Sequence, residues 1–243
     1  MADVDSLIEG PVLTLVINRP DKKNSLTSAM YQTLFDGLQA LQERDDLRVG
    51  VLRGSGPDFC AGNDLFDFAA PGDPDAPVTS FLRGLAEAPK PLVAAVNGKA
   101  IGVGATMLLH CDVVHLSTDA ELRFPFVDLG LVPEAGSTLL LPQLAGRRRA
   151  ASALLLGRPV PAADALSWGI ATEVNDDPDA AASASAAALA AKPPQALAAT
   201  KRLLWGDRTS LLQQMSVEGS VFAKLLAGGE FAAAAERFRS QRS

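Results

Sequence analysis

The sequence predicts an α/β fold of repeated strand–helix units joined by parallel-type crossovers and followed by a helical tail. Three observations predict it. Short β-rich runs alternate with stretches of helical spacing through the first half, small-residue turns follow the second and third runs, and from Asp179 onward the chain reads almost wholly as helix. The 243 residues suffice for one large domain, and no linker is long enough to separate two independent ones. We expect a core over residues 1–190 and a helical region over 191–243.

In chain order, Val12 to Ile17 is a β-rich run stopped by Asn18-Arg19-Pro20-Asp21. A helix follows, with Thr27 as N-cap and Tyr31, Leu34, Phe35, Leu38 and Leu41 at helical spacing. Val49 to Leu52 is a second strand, ended by Gly54-Ser55-Gly56-Pro57, and Pro91 to Val96 is a third, passing into Asn97-Gly98. Gly102 to Cys111 reads as helix and Val113 to Leu116 as strand. Thr138 to Leu144, Arg147 to Leu156 and Ala162 to Trp168 read as short helices, the last stopped by Gly169. Ala171 to Val174 is one more strand. The tail begins alanine-rich, is interrupted by Pro193-Pro194, and carries apolar faces around Leu203, Leu211, Met215, Phe222 and Leu226. Ala69 to Pro77, with three prolines and a glycine, is either a mobile lid or an idle surface loop.

Composition narrows the function. Apolar residues at 48% can bury a sizeable core, and 28 acidic against 22 basic residues argue against a nucleic-acid surface. No apolar run approaches the ~18–20 residues of a membrane span, so a cytoplasmic chain is expected. The final Gln241-Arg242-Ser243 is not the receptor-read peroxisomal tripeptide. Cys60 and Cys111 are too few for a disulfide framework or a structural zinc site and read as reduced thiols.

The glycines carry the first chemical signal. Phe59-Cys60-Ala61-Gly62-Asn63-Asp64-Leu65 follows the second strand, and Asn97-Gly98-Lys99-Ala100-Ile101-Gly102-Val103-Gly104 follows the third. Each is a small-residue turn leading from a strand into helix, where N–H groups lack internal partners and can hold an anion. Two such groups converging would form an oxyanion hole; tight turns and close helix packing explain the same glycines without one.

These segments resemble the crotonase superfamily, the enoyl-CoA hydratases and isomerases, and the likeness runs over most of the chain. Asn18-Arg19-Pro20 with Asn24 and Leu26 is similar to the family's opening motif. Ala61 to Leu65 and Asn97 to Gly102 resemble its two oxyanion segments, and Leu129-Gly130-Leu131-Val132-Pro133 and Ala162 to Glu173 resemble later landmarks. The resemblance implies a spiral of ββα units with a C-terminal helical trimerisation region, a homotrimer or dimer of trimers, and an acyl-CoA substrate whose coenzyme A is no separate cofactor. It implies the backbone N–H groups of Ala61 and Val103 as oxyanion donors. It places Lys22, Gly62, Asp64, Leu65, Phe66, Gly102, Phe126 and Val132 around the substrate. Asp64 also reads as a structural cap on the next helix.

The acid–base residues distinguish the branches. The two glutamates of the hydratase branch fall on Thr106 and Phe126, neither of which exchanges protons usefully near neutral pH. Phe124 to Thr138 resembles the Δ3,Δ2-enoyl-CoA isomerase branch, with Glu134 at the position of the catalytic base. Apolar neighbours such as Phe126, Val132 and Phe66 would raise its pKa. The resemblance therefore implies isomerisation of 3-enoyl-CoA to trans-2-enoyl-CoA. The rivals are a hydratase working with Glu134 alone and a non-catalytic acyl-CoA binder. Lys22 and Lys23 either meet coenzyme A phosphates or are exposed lysines in a polar turn, and Lys201 and Arg202 are weaker candidates from a neighbouring subunit. Asp128 reads as a solvated loop carboxylate and Arg147-Arg148-Arg149 as a solvated or interfacial face. His110 and His115 read as structural, with no metal-ligand pattern around them.

Overall fold

The computed structural model describes residues 3–64, 67 and 76–240. Strands β1 (Val4–Glu9) and β2 (Val12–Ile17) form an antiparallel hairpin across Gly10-Pro11, with Gly10 at φ 56°. A glycine at positive φ in the first turn position matches the right-handed twist of the flanking strands. β1 is absent from the elements expected above because it lacks clean alternation: Leu7 and Ile8 both stay exposed.

Helix α1 (Ser28–Glu43) starts where Thr27 accepts the Met30 N–H, and it buries Met30, Tyr31, Leu34, Leu38 and Leu41 on one stripe. β3 (Val49–Gly54) follows. Helix α2 (Pro77–Glu87) is a second addition, opened by a proline at its first turn, where the missing N–H costs nothing. Phe81, Leu82, Leu85 and Ala86 form its buried face and pack towards α1. Residues 69–75 of the lid candidate lie outside the described residues, as do Leu65 and Phe66.

Next come β4 (Leu92–Val96), β5 (Lys99–Ile101) and α3 (Val103–Thr106), then β6 (Val113–Ser117) and β7 (Glu121–Arg123). The helix expected over Gly102–Cys111 is split. Gly102 stands outside it at φ 58°, and the chain tightens to a 3-10 turn over Met107–His110 before Cys111 goes extended. Helices α4 (Ser137–Ala145) and α5 (Arg147–Leu155) precede β8 (Val160–Pro161), α6 (Ala162–Ser167) and β9 (Glu173–Asn175). β9 lies two residues later than the expected Ala171 start, because Thr172 instead ties to Val114 by backbone and side chain. The tail is α7 (Pro178–Ala190), α8 (Pro194–Trp205), α9 (Thr209–Leu226) and α10 (Gly229–Ser240).

Two sheets organise the chain. The larger has the order β1-β2-β3-β4-β6-β9, parallel from β2 onward; the smaller is β5-β7-β8. β4 and β6 each pass directly into a strand of the small sheet, so the repeat is one strand in each sheet. Every residue of β4 is buried, as a parallel strand covered on both faces requires. One face meets the main core with α1. On the other, Val49, Val51, Val93 and Ala95 pack on Ala182, Ala186 and Ala190, whose spacing of four makes one small-residue stripe on α7. Among the described residues, no helix is long and apolar enough to cross a membrane.

Candidate active site

The two glycine turns meet because the chain after β3 pairs in parallel with β5. Phe59 N and Cys60 N both donate to Lys99 O at 3.1 Å, Ile101 N donates to Cys60 O at 2.8 Å, and Cys60 faces Ala100. Continuing that register sets Gly62 beside Gly102 and Asn63 beside Val103. Contacts agree: a Cβ on Gly62 (φ +90°) would come to 3.0 Å from Ile101 O, and one on Gly102 to 3.9 Å from Gly62 Cα. Glycine is needed at 62 for both the positive φ and the close approach.

Most N–H groups of the two turns already have acceptors, the one expected at Ala61 among them. Ala61 N donates to Lys23 O at 2.9 Å, Gly102 N to Arg123 O at 2.9 Å, and Asp64 N to Leu26 O at 2.8 Å. Ala61 is therefore already engaged. Among the described residues, the N–H groups of Asn63 and Val103 meet no acceptor, and they are the two that the register sets side by side. Val103 keeps its expected place at the first turn of α3, 1% exposed.

The opening motif braces the first turn. Asn24, fully buried at φ 57°, accepts from Arg19 N and donates to Ser55 O and Asp58 O. Arg19 donates to Ser25 and pairs with the Asp64 carboxylate at 2.6 Å. Asp64 thus ties the two motifs together, while most of the segment it is expected to cap lies outside the described residues. The Tyr31 hydroxyl donates to the Asn63 side chain. Lys22 and Lys23 are exposed at the end of a 3-10 turn.

Glu134 lies within electrostatic reach of Cys60 in the first turn. It is 8% exposed, and its Oε1 has no hydrogen-bond partner among the described residues. Burial, reinforced by the negative charge of Glu218, pushes its carboxyl up to about 8. Its field helps raise the buried Tyr31 hydroxyl and the buried Cys60 thiol, the latter to about 12, although burial dominates in both. All three groups therefore share one neighbourhood.

The carboxyl is aimed inward by a turn with Ala135 at φ 61° and Gly136 at φ 68°. Three clamps hold it. Ser137 donates through Oγ (2.6 Å) and N (3.1 Å) to Glu134 O. His110 Nε2 lies 2.8 Å from Ala135 O; a carbonyl only accepts, so Nε2 carries the hydrogen. Burial pulls His110 down to about 4, so the ring is neutral. The third clamp, Glu218 of α9, accepts from Gly136 N at 2.6 Å and Thr138 N at 3.0 Å. Glu218 is absent from the expected site. It carried a signal nevertheless: a charged residue on the apolar stripe that Leu211, Met215 and Phe222 define.

Phe126 is 5% exposed and Val132 partly buried, both in the loop before Glu134. Thr106 is fully buried, with its hydroxyl turned back to Val103 O, so no second proton-exchanging side chain stands at either hydratase position. Lys201 is not available to a neighbour's ligand: it is 5% exposed and bonded to Asp112 at 2.6 Å. Asp128 and the arginines at 147–149 are exposed, Arg149 lying over the Trp168 ring. His115 is buried and bonded to Asn175 and Ser185, a structural arrangement.

Residues 8–243 match the enoyl-CoA hydratase/isomerase family, and the chain belongs to it. It is 37% identical over 227 residues to the 1,2-epoxyphenylacetyl-CoA isomerase of Escherichia coli K12, covering 88% of this chain and 86% of that protein. It is also 37% identical over 174 residues to enoyl-CoA delta isomerase 2 of Rattus norvegicus, covering 68% of this chain and 44% of the longer rat protein. The solved structure of Pseudomonas aeruginosa OdaA superposes with a TM-score of 0.92 at 37% identity, over 97% of this chain and 98% of that one. The fold is therefore the crotonase fold, and the protein is an enzyme of the hydratase/isomerase family.

Proposed function

We propose that the enzyme isomerises 3-enoyl-CoA thioesters to their trans-2 isomers, using one carboxylate and two backbone N–H groups. The observation that carries this reading is Glu134: a buried carboxyl with an unpartnered oxygen, poised to about 8, beside a pair of turns whose N–H groups at Asn63 and Val103 have no acceptor among the described residues.

The thioester oxygen rests on those two N–H groups. The Glu134 carboxylate takes a proton from C2, electron density moves onto the oxygen, and the same carboxyl returns the proton to C4. The double bond passes from C3–C4 to C2–C3, with no net change in protons or electrons. A carboxyl near pH 8 suits both halves, because it is basic enough to accept and acidic enough to return. The N–H pair acts where charge develops, and one such donor is worth about 10²–10³ in rate.

Hydration by two glutamates finds no second acid–base group at Thr106 or Phe126, which leaves a hydratase working with Glu134 alone as the rival. The family relationship also carries the expectations of acyl-CoA binding and of a homotrimer or dimer of trimers, which light scattering tests. The function is tested by incubating the enzyme with a panel of 2- and 3-enoyl-CoA esters and a ring-bearing thioester of the kind that the E. coli relative is named for. Formation of trans-2-enoyl-CoA is expected. Glu134→Gln should lower turnover by about 10²–10⁴-fold while leaving acyl-CoA binding within a few-fold. Near-full turnover in that variant eliminates Glu134 as the base, and loss of crotonyl-CoA absorbance in the wild type supports hydration instead.

A further inference from the structure

Glu218 sits within α9, 4% exposed, yet both of its carboxylate oxygens serve another segment. Oε2 accepts the Gly136 N–H, while Oε1 accepts the Thr138 N–H and hydroxyl; that hydroxyl in turn accepts from Gln214 of the same α9. The N-cap position of α4 is Gly136, which has no side chain to satisfy the helix's first N–H groups. Glu218 caps α4 from 80 residues away in sequence. The turn it grips places Ala135 and Gly136 in succession in the left-handed region, a conformation an alanine rarely adopts without help. His110 holds the same turn from the other side through Ala135 O.

We propose that Glu218 is the positioning residue for Glu134, so that α9 of the C-terminal helical region is a working part of the active site rather than a cover over it. This rests on the reading of Glu134 as the base. The groups facing Glu134 are Glu218 from α9, Tyr31 from α1 and Cys60 from the first glycine turn, and neutral His110 borders its turn from the 3-10 segment. Tyr31 and Cys60 are held protonated by burial; burial raises Glu218 too, but the hydrogen bonds from Thr138 and Gly136 oppose it and favour its charged form, so Glu218 is the member of that set that places a negative charge near Glu134. Its removal should both loosen the turn and make Glu134 more acidic.

The experiment compares Glu218→Gln with the wild type on a 3-enoyl-CoA ester across pH, and follows the ligand-free Glu134 carboxyl by infrared difference against Glu134→Gln. A kcat lower by about 10- to 100-fold is expected, with KM within about threefold. The acid limb of the rate profile and the Glu134 titration should both move to lower pH. If Glu218→Gln does not fold, Thr138→Val removes one hydroxyl from the carboxylate and should move the same readouts in the same direction by less. Kinetics and titration coincident with wild type, even with a lowered Tm, overturn the proposal. A wild type without turnover defeats the isomerase reading alone; an unmoved Glu134 titration in the variant then still overturns the role of Glu218.

Discussion

Two sites in this molecule hold ionisable groups in opposite ways. At the start of β4, Asp112 accepts from Leu92 N, Lys201 Nζ and Trp205 Nε1 at 2.8, 2.6 and 3.0 Å, and Lys201 also donates to Lys90 O at 2.8 Å. Burial lowers the Lys201 pKa despite the opposing pull of Asp112, but every charge there has a partner. Some 20 residues further along, Glu134 is as well buried and has one oxygen with none among the described residues. The first arrangement staples α8 to the core; the second keeps a carboxyl neutral and ready to trade a proton. Burial of an ionisable group does not by itself mark chemistry. What marks it is burial with hydrogen-bonding capacity left unused.

The difference is sharpest in stability against pH. The unfolded Glu134 carboxyl ionises near 4.5, whereas the folded one stays protonated to about 8. The stability present below pH 4.5 is therefore lost progressively as pH rises to 8. Glutamine cannot ionise, so Glu134→Gln should gain on the wild type across that window, by at most about 5 kcal/mol. Urea unfolding at pH 5 and pH 8 checks this, and an equal gap at both values would break the contrast. At the stapled site the sign reverses: Lys201→Ala leaves the partly exposed Asp112 carboxylate without its ammonium and should cost about 1.5–3 kcal/mol. Chemical denaturation measures that loss, while kcat of the folded variant should hold. A cost below about 1 kcal/mol would place the pair with ordinary surface bridges. A third variant sharpens the N–H assignment. Gly62→Ala, strained at φ +90° and 3.0 Å from Ile101 O, should displace the Asn63 N–H and lower turnover by about 10²–10³-fold. The Glu134 titration should be unchanged in it, and unaltered turnover would remove Asn63 from the site.

Local pattern made much of this legible. The Thr27 cap, the α1 stripe, the strands at Val12, Val49, Leu92 and Val113, and the Gly169 stop are decided by neighbours a few residues apart. The motif likeness led to Glu134, whose burial and raised pKa the structure supplies. Sequence shows the Lys201 charge and not its depth. A motif locates the turn at Ala61 but not which of its N–H groups stays unpaired; the bond from Ala61 N to Lys23 O supplies that.

The order of residues thus determined the elements and turns themselves, since helix period, caps and glycine backbone freedom act over a few residues. Tertiary structure alone decided which N–H groups lack acceptors, that Arg19 reaches Asp64, and that Glu218 grips the turn of Glu134. Those relations span tens of residues, and hydrogen bonds depend on distances that only the packed chain fixes.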